Sequence, residues 1–371
     1  MKTKIISEKK PDSIILAITF LLLIFGLLMV ASAGIMLSIS KFGSEYFFFK
    51  RQLLNGIIPG LILLYFVQKI DYRRWKKIAV PFFLLALVFL VLVFIPSLGT
   101  NFQGASRWLD FGIISFQPSE MMKLAIIFYL ALWLEKKENK LKSFSEGFVP
   151  FALILGVVIF LIIKQPDMGT LGLIVLVSLA MFFVSGVPIS FLAILGFGGG
   201  LLAFILIKLE PYRMRRILTF FDPSMDPQGI GYQINQALIA VGTGGIFGLG
   251  LGASRQKFNY LPEPVGDSIF AITAEELGMA GASFMVILFV LFALRGYKIA
   301  INAPDKFGKL VAIGVTSWII FQALINIMAI MGMIPLTGIP LPLVSYGSTS
   351  MVFSLIAIGV LLNISKHSNL K

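Results

Sequence analysis

The sequence predicts an all-α polytopic membrane protein of about ten transmembrane helices, with a large extracytoplasmic loop between the seventh and eighth. Three observations predict it. Hydrophobic residues make up 58% of the 371 and mean hydropathy is +0.94, more apolar surface than a soluble domain of this length can hide. The apolar residues are gathered into runs of about 20, the length a helix needs to cross a bilayer core. Lys and Arg collect in the short loops on one side of the resulting bundle, as cytoplasmic loops do.

Taken in order, the runs are 13–37, 53–69, 78–96, 118–135, 147–163, 168–187, 189–208, 268–294, 310–331 and 349–363. The first is long enough to span, and no small-residue cleavage site follows it, so a cleavable signal peptide is not expected. Lys2, Lys4, Lys9 and Lys10 precede it. Lys69, Arg73, Arg74, Lys76 and Lys77 follow the second run, Lys136, Lys137, Lys140 and Lys142 the fourth, Arg295, Lys298, Lys306 and Lys309 the eighth, and Lys366 and Lys371 close the chain. With ten crossings all of these share one side, which puts both termini in the cytoplasm. Residues 1–371 then form one integral membrane domain. Two longer segments face outside, 97–117 and 209–267.

The same composition excludes several chemistries. There is no cysteine, so disulfides and thiolate sites are absent, and the single histidine, His367, lies in the C-terminal tail, away from any Ser-His arrangement. The net charge of +13 is accounted for by membrane topology and calls for no nucleic acid. Arg213, Arg215, Arg216, Arg255 and Lys257 lie in the long outer loop, against the positive-inside tendency. Either long loops are exempt from it, or these cations meet an anion.

Ionised groups inside apolar runs cost roughly 2.5–3.5 kcal/mol near a helix centre, so those that persist pair or line a cavity. In "QPSEMMK", Pro118 suits the first helical turn, and Glu120 and Lys123 share a helical face three residues apart. They form either a local ion pair or the polar floor of a cavity. In "KQPDMGT", Asp167 is placed to cap the sixth run or to face the same outer cavity. In "NYLPEPVGDSIFAITAEELGMAG", Pro262 and Pro264 keep the chain extended and Asp267 takes the N-cap position of the eighth run. Glu275 and Glu276 lie deeper, and at least one needs an interior partner such as Lys123. "GTGGIFGLGLG" follows no strand and is not a dinucleotide fingerprint; its glycines let a loop or half-helix pack closely. "GYQINQALIAVG" reads as a short amphipathic segment. "GIPLPLVSYGSTS" is broken backbone of the kind tolerated at membrane depth only where it is buried or lines a cavity.

These elements, with "GASRWLDFG", occur in an order that resembles the SEDS (RodA/FtsW/SpoVE) family of bacterial membrane proteins over nearly the whole chain. "LGASRQKFNYLPEP" is closer to FtsW and SpoVE, "GIPLP" to RodA. Val265, Gly266, Ser268 and Ser348 depart from the family pattern. The resemblance implies a peptidoglycan glycosyltransferase of the bacterial cytoplasmic membrane. It would polymerise lipid II, an undecaprenyl-pyrophosphate-linked disaccharide-pentapeptide, at the outer face, beside a class B penicillin-binding protein. The family's essential outer aspartate falls on Asp267, and its further polar positions fall on Glu120, Lys123 and Asp167.

That chemistry suits the residue inventory. A sugar hydroxyl attacking an anomeric carbon needs a base, worth roughly 10²–10⁴-fold, and Asp267 is the candidate. Pyrophosphate leaves without a second carboxylate if its charge is met, unlike the leaving group in glycoside hydrolysis. Arg213, Arg215, Arg216, Arg255 and Lys257 are candidates to meet it, joined by Arg107, Gln117 and Ser345 of the quoted motifs. A divalent cation, Mg or Mn, could share that work with Asp267 as a ligand. The alternatives are a flippase for the lipid-linked precursor and a non-catalytic scaffold for a penicillin-binding protein.

Overall fold

The computed structural model describes residues 10–102, 105–110, 112 and 115–369. Lys2, Lys4, Lys9 and Lys371 lie outside them, as do Gly104 and Phe111 of the "GASRWLDFG" element. Each of the ten apolar runs contains a helix: α1 (Ser13–Ala33), α2 (Phe47–Val67), α3 (Arg73–Leu92), α4 (Pro118–Lys136), α5 (Phe144–Lys164), α6 (Met168–Val184) and α7 (Ile189–Leu209). Between α7 and the next long helix come α8 (Pro211–Phe221) and α9 (Ile230–Thr243), followed by α10 (Ile269–Ile301), α11 (Lys306–Ile330) and α12 (Ser348–His367). Eight of these are long and apolar enough to cross a membrane. The other two apolar runs, α4 and α6, are shorter or more charged: α6 has 17 residues, and α4 carries Glu120, Lys123, Glu135 and Lys136.

The bundle is built around α11 and α12, whose apolar windows are 72% and 78% buried, while that of α7 is 6% buried. A helix that is apolar all round belongs either in a core or against lipid. α11 and α12 take the first role and α7, with Phe197 and Phe204 turned outward, the second. α4 is the polar exception inside the core, its Glu120 and Lys123 both buried.

At one end of the bundle the loops expected on the cytoplasmic side meet one another. Arg295 pairs with Asp12 at 2.6 Å, whose backbone N–H donates to Ser365. Lys306 pairs with Glu138 at 3.0 Å, and the Tyr72 hydroxyl donates to Asp305. His367 belongs to α12 rather than to a tail, and is buried against the Tyr72 ring.

At the other end lie both longer segments. The first is not helical. It carries a small antiparallel sheet of β1 (Gly99–Phe102), β2 (Ala105–Asp110) and β3 (Ser115–Phe116) in that order, with Gly99 opposite Leu109 and Leu109 opposite Phe116. The second holds α8, α9 and the glycine-rich segment.

The eighth span is not one helix. α10 breaks at Gly278, with φ 65° and ψ −167°, a conformation that only glycine adopts readily. The break frees the carbonyls of Glu275 and Glu276 and the N–H groups of Met279 and Ala280, which an unbroken helix would join to one another. The glycine segment takes over both sets. Leu249 and Gly250 donate to Glu275 and Glu276, each at 3.0 Å, while Met279 and Ala280 donate to Gly245 and Ile246 at 2.9 and 3.1 Å. No backbone group in the exchange is orphaned, the condition for irregular chain at this depth. A Cβ on Gly278 would lie 2.3 Å from the Gly248 nitrogen.

Candidate active site

The site begins with the fixing of residues 265–267. Val265 accepts from the Tyr346 backbone N–H at 2.8 Å, Gly266 from the Ser345 hydroxyl at 2.7 Å, and Asp267 from Asn326 Nδ2 at 2.7 Å. The broken segment after α11 and a buried amide of α11 thus clamp three successive carbonyls. The hydroxyl of Ser345 also accepts from Leu341, so this candidate substrate ligand serves as a brace.

The expected N-cap role of Asp267 is corrected. α10 begins at Ile269 after Ser268, with no side-chain cap bond, because a turn closed by Gly266 and Ser268 N–H groups on the Glu263 carbonyl displaces Asp267 from that position. Its carboxylate is released for other use. Oδ1 accepts from Gln233 Nε2 of α9 and from the Ser268 hydroxyl, both at 3.4 Å. Burial, and then the neighbouring Glu263 charge, raise the carboxyl from 3.8 to about 6, against the lowering effect of the Gln233 and Ser268 bonds. Such a group is mostly ionised at neutral pH yet more basic than a free aspartate, as a general base requires.

Beneath it runs a polar ladder along α11. Lys123 pairs with Glu120 at 2.7 Å and donates to Gln322 Oε1 at 2.9 Å. Trp318 donates to the same oxygen, and Gln322 Nε2 donates to Pro340 at 2.9 Å. One turn on, Asn326 donates both to Asp267 and to Ile339 at 2.8 Å. The buried ion pair and the carboxylate segment are therefore linked through one helix and the 339–340 backbone.

Asp167 caps α6 as expected, accepting from Thr170 at 3.1 Å, and Gln117 Nε2 reaches its other oxygen at 3.5 Å. Arg107 bonds to the carbonyls of Gln165 and Pro166, stapling the small sheet to this turn. Gly169 lies against Thr337 and Ile339, which brings the Asp167 turn under the segment that Asn326 and Gln322 hold.

Two expectations are overturned by the glycine segment. Lys257 is buried, with its ammonium 2.9 Å from Glu276 Oε1 and bonded to Ser32 and Gly252; it is not a free cation for pyrophosphate. Neither Glu275 nor Glu276 is held by Lys123. Glu276 also accepts from Ser32 at 2.7 Å and Gly252 N–H at 3.0 Å, and Glu275 from the Ser254 hydroxyl and Arg255 N–H. Both carboxylates pin the re-entrant segment, and burying them costs less because each is paired or accepts several bonds.

The remaining cations differ. Arg213 donates to Leu206 at 3.1 Å and is buried. Arg216 donates to Leu336 at 3.0 Å, next to the Thr337–Ile339 segment. Arg215 and Arg255 are exposed. Among the described residues no three metal-ligating side chains converge; the carboxylate that neighbours Asp267 is Glu263.

Gln233, Gln322 and Asn326 were not singled out by the sequence motifs. Gln322 and Asn326 carried a readable signal, two amides four residues apart in an apolar run, where burial demands partners. Gln233 carried none beyond its place in an amphipathic segment.

A family model described as "Cell cycle protein", covering FtsW, RodA and SpoVE, matches residues 12–370. The chain belongs to this family. Among FtsW/RodA/SpoVE proteins it is 45% identical to "Stage V sporulation protein E" of Bacillus subtilis (strain 168), over 97% of this chain and 98% of that one. It is 42% identical to "Probable peptidoglycan glycosyltransferase FtsW" of Geobacter sp. (strain M18), over 95% and 96%. In fold it is similar to a chain from a solved peptidoglycan synthase complex, described as coordinating polymerization and crosslinking (TM-score 0.81, 25% identity, 97% and 99% covered). It also shares the fold of the rod shape determining protein RodA of Thermus thermophilus (TM-score 0.71, 24% identity, 97% and 98% covered). Like other members of the FtsW/RodA/SpoVE family, it is a multi-pass membrane protein.

Proposed function

We propose that this chain is a peptidoglycan glycosyltransferase that polymerises lipid II at the outer face of the bacterial cytoplasmic membrane. The observation that carries the reading is Asp267, a carboxylate poised at about 6 on backbone clamped at three successive carbonyls. The names of its FtsW relatives support the same activity. In the proposed step a sugar hydroxyl of one chain attacks the anomeric carbon of another. The new C–O bond forms as the bond to the lipid pyrophosphate breaks, and the hydroxyl proton passes to Asp267. A single displacement inverts the anomeric centre. Arg215, Arg216 and Arg255 are the proposed partners of the departing pyrophosphate. Arginine's planar fork suits phosphate oxygens, and two of the three are exposed.

The proposed topology has ten crossings, both termini inside, and residues 209–267 outside within one domain spanning 1–371. The meeting of the N-terminal segment, the 302–309 loop and the end of α12 at one end of the bundle supports it. A class B penicillin-binding protein is the proposed partner, in keeping with the synthase complex whose chain this one resembles.

The deciding experiment supplies purified protein with lipid II in detergent, where membrane sidedness is abolished. Glycan chains should form and should be lost in Asp267→Ala. A stably folded Asp267→Ala protein that polymerises at the wild-type rate would remove the assignment.

A further inference from the structure

Between the Pro223–Met225 turn and the outward face of α9 lies an open cleft of about 710 Å³, within the roughly 300–1,000 Å³ range of small-molecule sites. Tyr232, Asn235, Gln236 and Ile239 line it, and their spacing of three, four and seven puts them on one helical stripe. Ser224 and Leu238 complete its polar and apolar sides, and no Asp, Glu, Lys or Arg lines it. Among the described residues, no hydrogen bond engages the side chains of Tyr232, Asn235 or Gln236. Two amides and a phenol are thus presented in a recess with nothing of this chain to bind.

From this geometry we infer that the cleft is a saccharide subsite that holds the neutral amino-sugar strand beside Asp267; the inference rests on the glycosyltransferase reading above. Planar amides match the paired donors and acceptors of hydroxyl and acetamido groups. An aromatic ring with an apolar body and a polar tip suits the C–H face of a sugar. A lining without Lys or Arg, with the Asp222 carboxylate bonded to the Ser224 hydroxyl, offers nothing to offset the desolvation of pyrophosphate or of a peptide carboxylate. Position supports the same role, because Gln233, three residues before Gln236 and so its neighbour on the helix surface, reaches the Asp267 carboxylate.

The test measures binding of chitotetraose, a soluble peptide-free tetramer of β-1,4-linked N-acetylglucosamine, to the purified full-length protein in detergent. Wild type and Asp267→Asn should both bind it, and inorganic pyrophosphate should not compete. The double variant N235A/Q236A should bind about tenfold or more weakly, the loss of one or two net hydrogen bonds, with an unchanged thermal midpoint. Tyr232→Phe should retain binding and Tyr232→Ala should lose it. Should the double variant unfold, Asn235→Asp, which places a charge in the recess at constant size, should weaken binding instead. Absence of wild-type binding, equal binding by the folded variants, or competition by pyrophosphate would overturn the proposal. Polymerisation by an Asp267→Ala protein would sink the assignment of the base and leave this binding result standing, so the two failures are distinct.

Discussion

Asn326 donates to the backbone carbonyl of Asp267 at 2.7 Å and to that of Ile339 at 2.8 Å, so one buried amide ties the Asp267 segment to the broken chain beside it. Replacing it should let both segments shift. Asn326→Ala is expected to lower kcat about 10–100-fold, the scale on which misplaced catalytic groups act, with KM for lipid II little changed. Stability should fall by about 1–3 kcal/mol for the carbonyls left unpaired. Steady-state polymerisation rates and detergent unfolding curves check both.

Asp267 titrates at about 6 in the folded protein against an ordinary value of 3.8. Polymerisation should therefore fall on the acid side with a limb centred near 6, as the base becomes protonated. Gln233 lowers this value and Glu263 raises it, so Gln233→Ala should move the limb to higher pH and Glu263→Gln to lower pH. A pH–rate profile for each variant reads the direction.

The same shift has a sign for stability. Between 3.8 and about 6 the folded state binds more proton than the unfolded chain, so this group's contribution to stability declines as pH rises through that window. Asp267→Asn, which cannot ionise, should raise the unfolding midpoint at neutral pH, and the difference from wild type should close toward about pH 4. A midpoint lowered at neutral pH would show the carboxylate to be stabilising instead.

The Lys257–Glu276 pair at 2.9 Å is buried on both sides. Lys257→Met leaves Glu276 charged and unpaired and should cost about 3–5 kcal/mol, whereas the double variant K257M/E276Q should recover part of that. Unfolding midpoints around the double-mutant cycle measure the coupling.

Gly278→Ala would hold an alanine at φ 65° and drive its Cβ into the Gly248 backbone. The expected result is detachment of the glycine segment and a loss of about 1–3 kcal/mol for the strained backbone alone. Faster proteolytic nicking within residues 244–252 would report the detachment.

What could be read from the sequence was whatever is local or periodic. The ten apolar runs, the Glu120–Lys123 pair three residues apart and the Asp167 cap each depend on spacing along one helix. The failures depend on the chain returning to itself. Lys257 looked like a free outer cation because nothing nearby in sequence says that its segment re-enters to meet Glu276 and Ser32. Asp267 looked like a cap because the turn that Glu263 closes comes from a proline-rich stretch whose geometry tertiary contacts with Ser345 and Tyr346 decide. The break at Gly278 was hidden inside a continuous apolar run, since hydropathy does not register a helix whose missing hydrogen bonds are supplied by another segment.

Gln322 and Asn326 sit one turn apart on α11, the first holding the ammonium of Lys123 and the second the carbonyl of Asp267. Any roll of that helix about its axis would carry the two amides round together. Holding the Lys123 ammonium and holding the chain that carries the acid are then tasks of a single helix. A substitution that turned α11 would disturb both at once.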